Sequence, residues 1–369
     1  MNKMKYPRIG IVQRVLPGYR AQLFDMLADA NGGNVSVFAG EGRKLEMISA
    51  AIPQKAKYFP AKNYHILHGM FYACWQGGLL RWLRQWKPDV LIMEANPRYL
   101  HSRAALRWMR KNHGKVIGWG LGAPVILQDI LGVRNCLRKH FLQKFDAVIT
   151  YSSQGAREYA KLGFPHAKIF IAPNAASAKP LHPLPERHDT YRGKKPIVVF
   201  VGRLQPRKRV DVLIRACAGL PADQQPLLWI IGDGPNRGGL ESLAKEIYPL
   251  STFFGALHGE DLAQRLKLAD LFVLPGTGGL AVQEAMSFGL PVIVGEADGT
   301  QADLVREENG WLLTDPTPDQ LGKLIANALG DIHALRKRGR AGFRIVSEEI
   351  NLEAMVLEFG RAVSEVLNG

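Results

Sequence analysis

The sequence is poor in cysteine, with Cys74, Cys136 and Cys217 as its three examples among 369 residues. They lie far apart and show no metal-ligand spacing, which excludes a disulfide scaffold and indicates a reducing compartment. The longest apolar stretch, residues 116–133, is interrupted by glycines, a proline and an aspartate. We therefore expect no membrane-spanning helix of about 20 residues. No signal-peptide core precedes the first strand-like segment, so the expected location is cytoplasmic.

Acidic residues are scarce in the first half of the chain. Residues 1–190 contain 28 Lys and Arg against 11 Asp and Glu, a net charge of +17, whereas the remainder carries −2. A generally basic proteome does not explain why one half is neutral. This asymmetry predicts an anionic partner, which is a nucleic acid, a phospholipid surface or a phosphorylated substrate.

Short apolar runs alternate with helix-length segments along the whole chain, a pattern typical of parallel, helix-covered sheets. A polar, proline-rich segment divides two such series. We predict an N-terminal acceptor-binding domain (1–175), a linker (176–196), a C-terminal donor-binding domain (197–345) and a helical tail (346–369) that packs back on the N-terminal domain. The expected fold is α/β, with two Rossmann-like domains facing across a cleft.

The strongest local motif runs from Phe200 to Ala216. A strand ends at Gly202, and a basic loop with Arg203 and Lys208 leads into a helix. Cations beside a helix N-terminus favour anions, since Arg gives bidentate contacts to phosphate and Lys supplies a mobile charge. Phosphate binding is therefore preferred over a merely solvated basic loop.

Two glycine-rich turns follow further strands. Gly232 and Gly234 resemble half of a dinucleotide fingerprint whose third glycine is displaced, so a tight turn that lets backbone approach a phosphate or sugar is the better interpretation. A second turn contains Gly276, Thr277, Gly278 and Gly279 before a helix starting at Leu280, and it predicts a backbone cradle for an anionic or hydroxyl-rich ligand. Glu284 lies one turn into that helix.

Together these motifs resemble glycosyltransferase family 4, a retaining, nucleotide-sugar-dependent group with the GT-B fold. The family's G-R-L-x-x-x-K pattern matches Gly202, Arg203, Leu204 and Lys208. The G-x-G-P turn is Gly232–Pro235, and the end of the E-x7-E motif is Glu284. The resemblance covers nearly the whole chain and is strongest from Pro196 to Leu313.

The resemblance implies roles for these residues. Arg203 and Lys208 would be catalytic by holding the donor diphosphate, and Glu284 would bind the ribose hydroxyls. Gly255, Ala256 and Leu257 would lie beside the nucleobase. The remaining donor-binding positions would be Gly202, Gly232, Gly234, Gly276, Thr277, Gly278, Gly279 and Leu280. The family requires no metal for this step, and the sequence has no Asp-x-Asp motif, so we expect neither a metal nor another cofactor.

Two positions depart from the family pattern. The first glutamate of E-x7-E, which contacts the transferred sugar in the family, is Gly276 here. The histidine that many relatives place after the strand Lys115–Trp119 is absent, and the sequence there is Gly120-Leu121-Gly122. Donor-sugar recognition must therefore differ from the usual pattern, or another side chain must supply the contact, and an altered donor or a loss of activity both stay open.

The acceptor site is expected at strand ends of the N-terminal half. Gly18, Tyr19 and Arg20 follow the first strand, and Arg20 either meets a phosphate or lies in solvent at a helix start. Glu94 and Arg98 follow another strand and line the same expected cleft.

A basic segment with three tryptophans, Trp75–Lys87, resembles an amphipathic helix of the kind that binds anionic membranes. Its Leu and Trp spacing also fits the core face of a sheet-covering helix, which we favour. The two roles are compatible, and they predict a peripheral membrane enzyme with a lipid-linked or anionic glycan acceptor.

The predicted function is glycosyl transfer from a nucleoside-diphosphate sugar in surface polysaccharide or glycolipid synthesis. A nucleotide-sugar epimerase of the same fold is an alternative, although it would not need the basic N-terminal face. A basic nucleic-acid-binding protein is another, but the sequence has no helix-turn-helix, zinc or RNA-binding signature. We therefore expect no nucleic-acid partner.

Overall fold

The computed structural model describes residues 6–43, 51–67, 72–123, 133–296 and 299–369. The chain forms two α/β units. The first comprises Met1–Ala176 together with Leu352–Gly369, and the second comprises Ser177–Asn351.

The first unit contains an eight-stranded sheet in the order β4-β3-β2-β1-β5-β6-β7-β8. Neighbouring strands are parallel except for β3 and β4, which form an antiparallel pair. The strands are β1 (Ile9–Val15), β2 (Val35–Gly40), β3 (Lys57–Ile66), β4 (Ala73–Gly77), β5 (Val90–Glu94), β6 (Lys115–Gly120), β7 (Ala147–Thr150) and β8 (Ile169–Ile171). The helices are α1 (Gly18–Ala30), α2 (Leu79–Trp86), α3 (Ser102–Lys111), α4 (Val133–Leu142) and α5 (Ser153–Lys161).

Two apolar layers cover the faces of this sheet. On one face, strand residues such as Ile11 and Trp119 pack against α1 and the C-terminal helix. On the other face, α2 and α3 bury Trp82, Leu83 and Leu106. The alternation of inward and outward residues along each buried strand produces these two layers.

The second unit contains a six-stranded parallel sheet in the order β11-β10-β9-β12-β13-β14. The strands are β9 (Ile197–Val201), β10 (Leu227–Ile231), β11 (Ser251–Gly255), β12 (Leu271–Leu274), β13 (Val292–Gly295) and β14 (Gly310–Leu313). The helices are α6 (Val210–Ala218), α7 (Arg237–Ile247), α8 (Gly259–Leu268), α9 (Leu280–Ser287), α10 (Gln301–Leu304), α11 (Pro318–Gly330) and α12 (Ile332–Glu348). The last helix of the chain, α13 (Leu352–Asn368), belongs to the first unit.

The predicted linker and tail have different boundaries in the structure. Residues 177–196 belong to the second unit, because the Arg187 guanidinium donates to the carbonyl oxygens of Leu266 and Phe288, each at 2.9 Å. The predicted tail begins at residue 346, whereas the structural division falls after Asn351, at the end of the turn that follows α12.

Each sheet has one point where the strand order reverses. In the first unit it lies between β1 and β5, and in the second between β9 and β12. Loops leaving the carboxyl ends of two such strands diverge to opposite sides, which opens a crevice that commonly binds ligands. These two points position the candidate site residues. Within the described ranges, no helix combines the length and the apolar character needed to cross a bilayer.

Candidate active site

The basic loop after β9 and the glycine-rich loop after β12 meet at the reversal point of the second unit. The Thr277 amide donates to the carbonyl oxygen of Arg207 at 3.0 Å. The Arg207 guanidinium returns a hydrogen bond of 3.0 Å to the Thr277 hydroxyl. The two predicted phosphate-binding segments are therefore one structural feature.

Lys208 lies at the centre of this contact. Its ammonium nitrogen Nζ donates to the carbonyl oxygen of Thr277 at 2.5 Å. Burial and the neighbouring charge of Arg207 lower the pKa of Lys208 to about 8. No carboxylate of the described residues pairs with Lys208. A half-buried cation without a counter-charge favours an anionic ligand.

The other basic side chains of the loop differ in their surroundings. Arg209 pairs with the carboxylate of Asp315, and it also donates to the carbonyl oxygen of Pro316 at 3.1 Å. Arg203 is half-buried directly after Gly202. Its neighbour Leu204 donates a backbone hydrogen bond of 2.9 Å to Asp233, so the turns after β9 and β10 are joined. This hydrogen bond between the two turns fixes the backbone that carries Arg203.

Gly232 and Gly234 allow these two turns to pack closely because they have no side chains. A Cβ atom on Gly232, whose φ is 141°, would collide with the carbonyl oxygen of Gly202. A Cβ atom on Gly234 would lie 2.8 Å from the Leu204 nitrogen. The Gly232 amide also donates to the carbonyl oxygen of Gly255 at 2.7 Å. Backbone packing accounts for both glycines, and their predicted contact with the donor stays a prediction.

Gly276 faces the backbone of the basic loop. A Cβ atom there would lie 2.8 Å from the Cα atom and 2.7 Å from the carbonyl carbon of Lys208. Real Cβ atoms do not approach backbone this closely, so the two loops can meet only because residue 276 lacks a side chain. The family's sugar-contacting glutamate therefore has no room here.

The glycine loop continues into α9. Gly278 adopts a φ of 148° beside the Lys208 ammonium, and the Gln301 amide donates to its carbonyl oxygen at 3.2 Å. At Gly279 a Cβ atom would meet only the Thr300 hydroxyl, at 3.9 Å. The helix then begins at Leu280, as predicted, without a side-chain cap at Gly279, and an uncapped helix start favours an anion.

Glu284 is half-buried in α9, and its carboxylate makes no hydrogen bond or ion pair with the described residues. Burial raises the pKa of its carboxyl group, and the nearby His258 acts in the opposite direction. His258 directly follows the Gly255–Leu257 segment predicted to lie beside the nucleobase. The Glu284 carboxyl group is thus close enough to the loop after β11 to feel the charge of His258.

The first unit contains a cavity at the carboxyl ends of β5, β6 and β7. Its volume is about 610 Å³, and both predicted acceptor residues, Glu94 and Arg98, line it. The Glu94 carboxylate accepts a hydrogen bond of 2.6 Å from the Arg14 amide. Burial raises the pKa of Glu94 to about 7, while the amide and charge of Arg14 act to lower it.

Arg20 does not lie in solvent, which was one of its two expected positions. It is only 3% exposed, and it donates to the Asn174 side chain at 2.7 Å. Its guanidinium carbon lies 4.9 Å from the ring centre of Trp119 and 5.0 Å from that of Tyr151. Arg20 therefore makes buried cation–π contacts with these two rings, and its predicted contact with a phosphate stays a prediction. Gly18 and Tyr19 start α1 beside it, and Tyr19 is partly exposed.

Sequence reasoning missed several residues that line the cavity. Trp119, Tyr151 and Tyr159 supply aromatic surface, and Arg138 adds a second cation. The buried indole nitrogen of Trp119 has no hydrogen-bond partner among the described residues. Trp119 and Tyr151 could have been found, because they stand at strand ends in the same way as Glu94. No three His, Cys, Asp or Glu side chains in the described ranges converge on a possible metal position.

Two family models match nearly the whole chain. Residues 21–178 match "Glycosyltransferase Family 4", and residues 186–343 match "Glycosyl transferases group 1". The chain is 29% identical over 270 residues to a GDP-mannose-dependent monoacylated alpha-(1-6)-phosphatidylinositol monomannoside mannosyltransferase of Corynebacterium glutamicum, covering 68% of each chain. It is 42% identical over 122 residues to a GDP-mannose-dependent alpha-mannosyltransferase of Mycobacterium tuberculosis, covering 32% of this chain but only 30% of the relative.

The fold is also that of solved structures. The crystal structure of Anabaena HepE in complex with UDP superimposes with a TM-score of 0.70 at 16% identity, covering 97% of this chain and 99% of HepE. This chain has two units, each built on a largely parallel sheet, and the predicted GT-B fold is confirmed. With both units matched by family models and by mannosyltransferase relatives, the chain belongs to glycosyltransferase family 4.

Proposed function

We propose that this glycosyltransferase moves mannose from GDP-mannose to a lipid-linked acceptor, with retention of configuration and without a divalent metal. The observation that carries the proposal is the half-buried Lys208 ammonium between the two loops at the reversal point of the second unit. A fixed cation there meets the negative charge that develops when a glycosyl–diphosphate bond breaks.

The donor diphosphate would bind between Lys208, Arg203 and the first amides of α9. Charge on the departing nucleoside diphosphate is then neutralised by side chains already in place, which removes the need for a metal ion. Glu284 would accept hydrogen bonds from the ribose hydroxyls, and Gly255, Ala256 and Leu257 would border the base. Arg207 would keep the Thr277 loop closed over the phosphates.

Support for GDP-mannose comes from the relatives. The Corynebacterium and Mycobacterium proteins are both described as GDP-mannose-dependent. The structural relative with UDP shares only 16% identity with this chain. The nucleobase is therefore better inferred from the sequence relatives than from the fold.

The acceptor would enter the cavity of the first unit. Its half-buried Tyr151 ring suits the apolar face of a sugar ring. Arg98 and Arg138 would hold a phosphate, and Glu94 would bind the reacting sugar's hydroxyls. A sugar linked through phosphate to a lipid fits this set, and we place the enzyme on the cytoplasmic side of a membrane.

A transfer assay tests the proposal. Purified full-length protein is incubated with GDP-mannose carrying radiolabelled mannose and with a bacterial lipid extract, in the presence of EDTA. We expect label in the lipid fraction with equimolar GDP, and none with Lys208→Ala. An isomerised sugar nucleotide without labelled lipid would instead support the epimerase alternative. Labelling that requires added Mg²⁺ would contradict the metal-independent step.

A further inference from the structure

Five large apolar side chains are exposed together at the edge of the first sheet. The exposed fractions are 47% for Tyr64, 42% for Ile66, 63% for Leu67, 40% for Trp75 and 44% for Leu100. Scattered apolar side chains are ordinary on a protein surface, but a contiguous group commonly marks an interaction site.

The strand register places Tyr64, Ile66 and Trp75 on one face, and Leu67 directly follows Ile66 at the end of β3. Tyr64 of β3 stands directly opposite Trp75 of β4 in the antiparallel pair. Cys74 forms a parallel bridge with Tyr99, and the Leu100 amide donates to the Cys74 carbonyl oxygen at 2.9 Å. Leu100 therefore lies beside Trp75, on the same side of the hairpin. We call these five residues the hairpin patch.

The chain segments that form the hairpin patch and the helices next to it carry basic side chains. Residues 57–67, 73–87 and 98–111 contain ten Lys and Arg and no Asp or Glu. The Lys62 ammonium lies 5.4 Å from the ring centre of Tyr64. Arg81 at the start of α2 shares a small pocket of about 220 Å³ with Trp75. An apolar centre with a basic border is the pattern of proteins that bind anionic membrane surfaces.

The apolar part of this surface is not the one that the sequence suggested. Trp75 lies on a strand instead of in the expected helix. Trp82 is buried and donates to the Ser36 hydroxyl at 3.0 Å, while Trp86 donates to the carbonyl oxygen of Ile9 at 3.1 Å. Helix α2 therefore uses its tryptophans for the core and leaves Arg81 and Arg84 exposed.

We propose that the hairpin patch docks this protein on an anionic phospholipid bilayer. The five apolar side chains enter the interfacial region, while Lys62 and the arginines of α2 and α3 attract the acidic headgroups. The positive charge around the hairpin patch would by itself attract a nucleic acid equally well. The exposed Ile66, Leu67 and Leu100 have no such use, because aliphatic side chains neither pair with phosphate nor stack on bases.

The position of Arg98 connects docking to catalysis, and this step rests on the proposed function. Arg98 lines the 610 Å³ cavity and is two residues before Leu100 of the hairpin patch. A bilayer in contact with Leu100 therefore brings lipid headgroups next to the cavity. An acceptor can then enter the cavity while its lipid chains stay in the membrane.

Vesicle co-sedimentation of the full chain tests the proposal without any transfer reaction. The vesicles are pure phosphatidylcholine or phosphatidylcholine with phosphatidylglycerol. The test variants are Trp75→Ser, Tyr64→Ser and Lys62→Glu. The matched controls in the second unit are Leu268→Ser, at a site that is 60% exposed, and Lys245→Glu. Melting temperatures establish that each variant is folded.

We expect the wild type to bind anionic vesicles far better than neutral ones. Each test variant should lose about tenfold or more in partitioning, while both controls stay unchanged. Equal binding by folded test variants and wild type would overturn the proposal. So would binding to a nucleic-acid duplex that depends on Lys62 without any binding to vesicles. Vesicle binding that persists when GDP-mannose gives no transfer would contradict the proposed function and leave the docking surface intact.

Discussion

Gly276 lies so close to the backbone of Lys208 that a Cβ atom on it would come within 2.8 Å of the Lys208 Cα atom. This contact allows the glycine loop to reach the Lys208 ammonium, which donates to Thr277 at 2.5 Å. The glycine that replaces the family's glutamate is thus part of how the cation is held. At this position the structure has a close backbone contact where the family pattern has a carboxylate.

The first prediction concerns this contact. Gly276→Ala should lower the free energy of unfolding by about 1–3 kcal/mol, because the added methyl group must push the Lys208 backbone away. Activity should fall with it. Gly279→Ala is the matched control, since its Cβ would meet only the Thr300 hydroxyl at 3.9 Å. Chemical denaturation measures the free energy of unfolding of the two variants. Equal stability of Gly276→Ala and Gly279→Ala would contradict the packing role of Gly276.

The second prediction concerns pH. Since burial and Arg207 lower the pKa of Lys208 to about 8, the ammonium loses its proton above that pH. Affinity for a nucleoside diphosphate should then decrease by up to about tenfold per pH unit. Lys208→Arg keeps its charge, so its affinity should be nearly constant from pH 7 to pH 9.5. Calorimetry across this range decides, and a flat wild-type profile would exclude the titration of Lys208.

The third prediction concerns Glu284. Glu284→Ala should weaken nucleoside diphosphate binding by roughly 1.5–3 kcal/mol, the range for hydrogen bonds to a charged group. The turnover number should change less than the affinity. Glu246→Ala, at an exposed position of α7, serves as the control. Unchanged binding by Glu284→Ala would remove that residue from the site.

The fourth prediction links Glu94 to stability. Its pKa in the folded protein is raised to about 7, above the ordinary value of 4.5. The folded state therefore holds more protons than the unfolded state between these values, and this contribution to stability is lost as pH rises through about 7. Glu94→Gln should remove this pH-dependent contribution. The free energy of unfolding of the variant should therefore increase relative to that of the wild type between pH 5 and pH 8. Parallel pH dependence of both proteins in denaturation experiments would contradict this.

Much of the second unit could be predicted from the sequence, for a physical reason. Strands β9 and β10 are continuous apolar runs bounded by turn residues, and they form where expected, at Ile197–Val201 and Leu227–Ile231. Buried parallel strands show such runs because both faces are covered. The helix that carries Glu284 was located by the glycines before it.

The hairpin of the first unit was missed because its pattern is different. Strand β3 contains Pro60 and alternates exposed with half-buried residues, so it shows no apolar run. Strand β4 returns antiparallel and breaks the strand–helix rhythm. Tertiary pairing, which the local sequence does not record, makes Trp75 a strand residue.

In the candidate site, too, the sequence motifs identify residues but do not predict their contacts with residues far away in the chain. Lys208 and Gly276 were each identified from their own motifs, but their contact depends on how two loops meet across the sheet. The burial of Arg20 could not be predicted, because its partners, Trp119, Tyr151 and Asn174, come from other strand ends. Spacing along the chain locates candidate residues, whereas burial and partners depend on the assembled fold.

The most direct measurement is nucleoside diphosphate binding by the wild type and Lys208→Ala. Thermal shift and calorimetry with GDP, UDP and ADP, with EDTA present, would reveal whether the Lys208 site holds a diphosphate. We predict that GDP stabilises the wild type without metal, that Lys208→Ala loses this stabilisation, and that its turnover number falls by about 10²–10³. Lys208→Ala that binds GDP as tightly as the wild type, with normal turnover, would contradict the account.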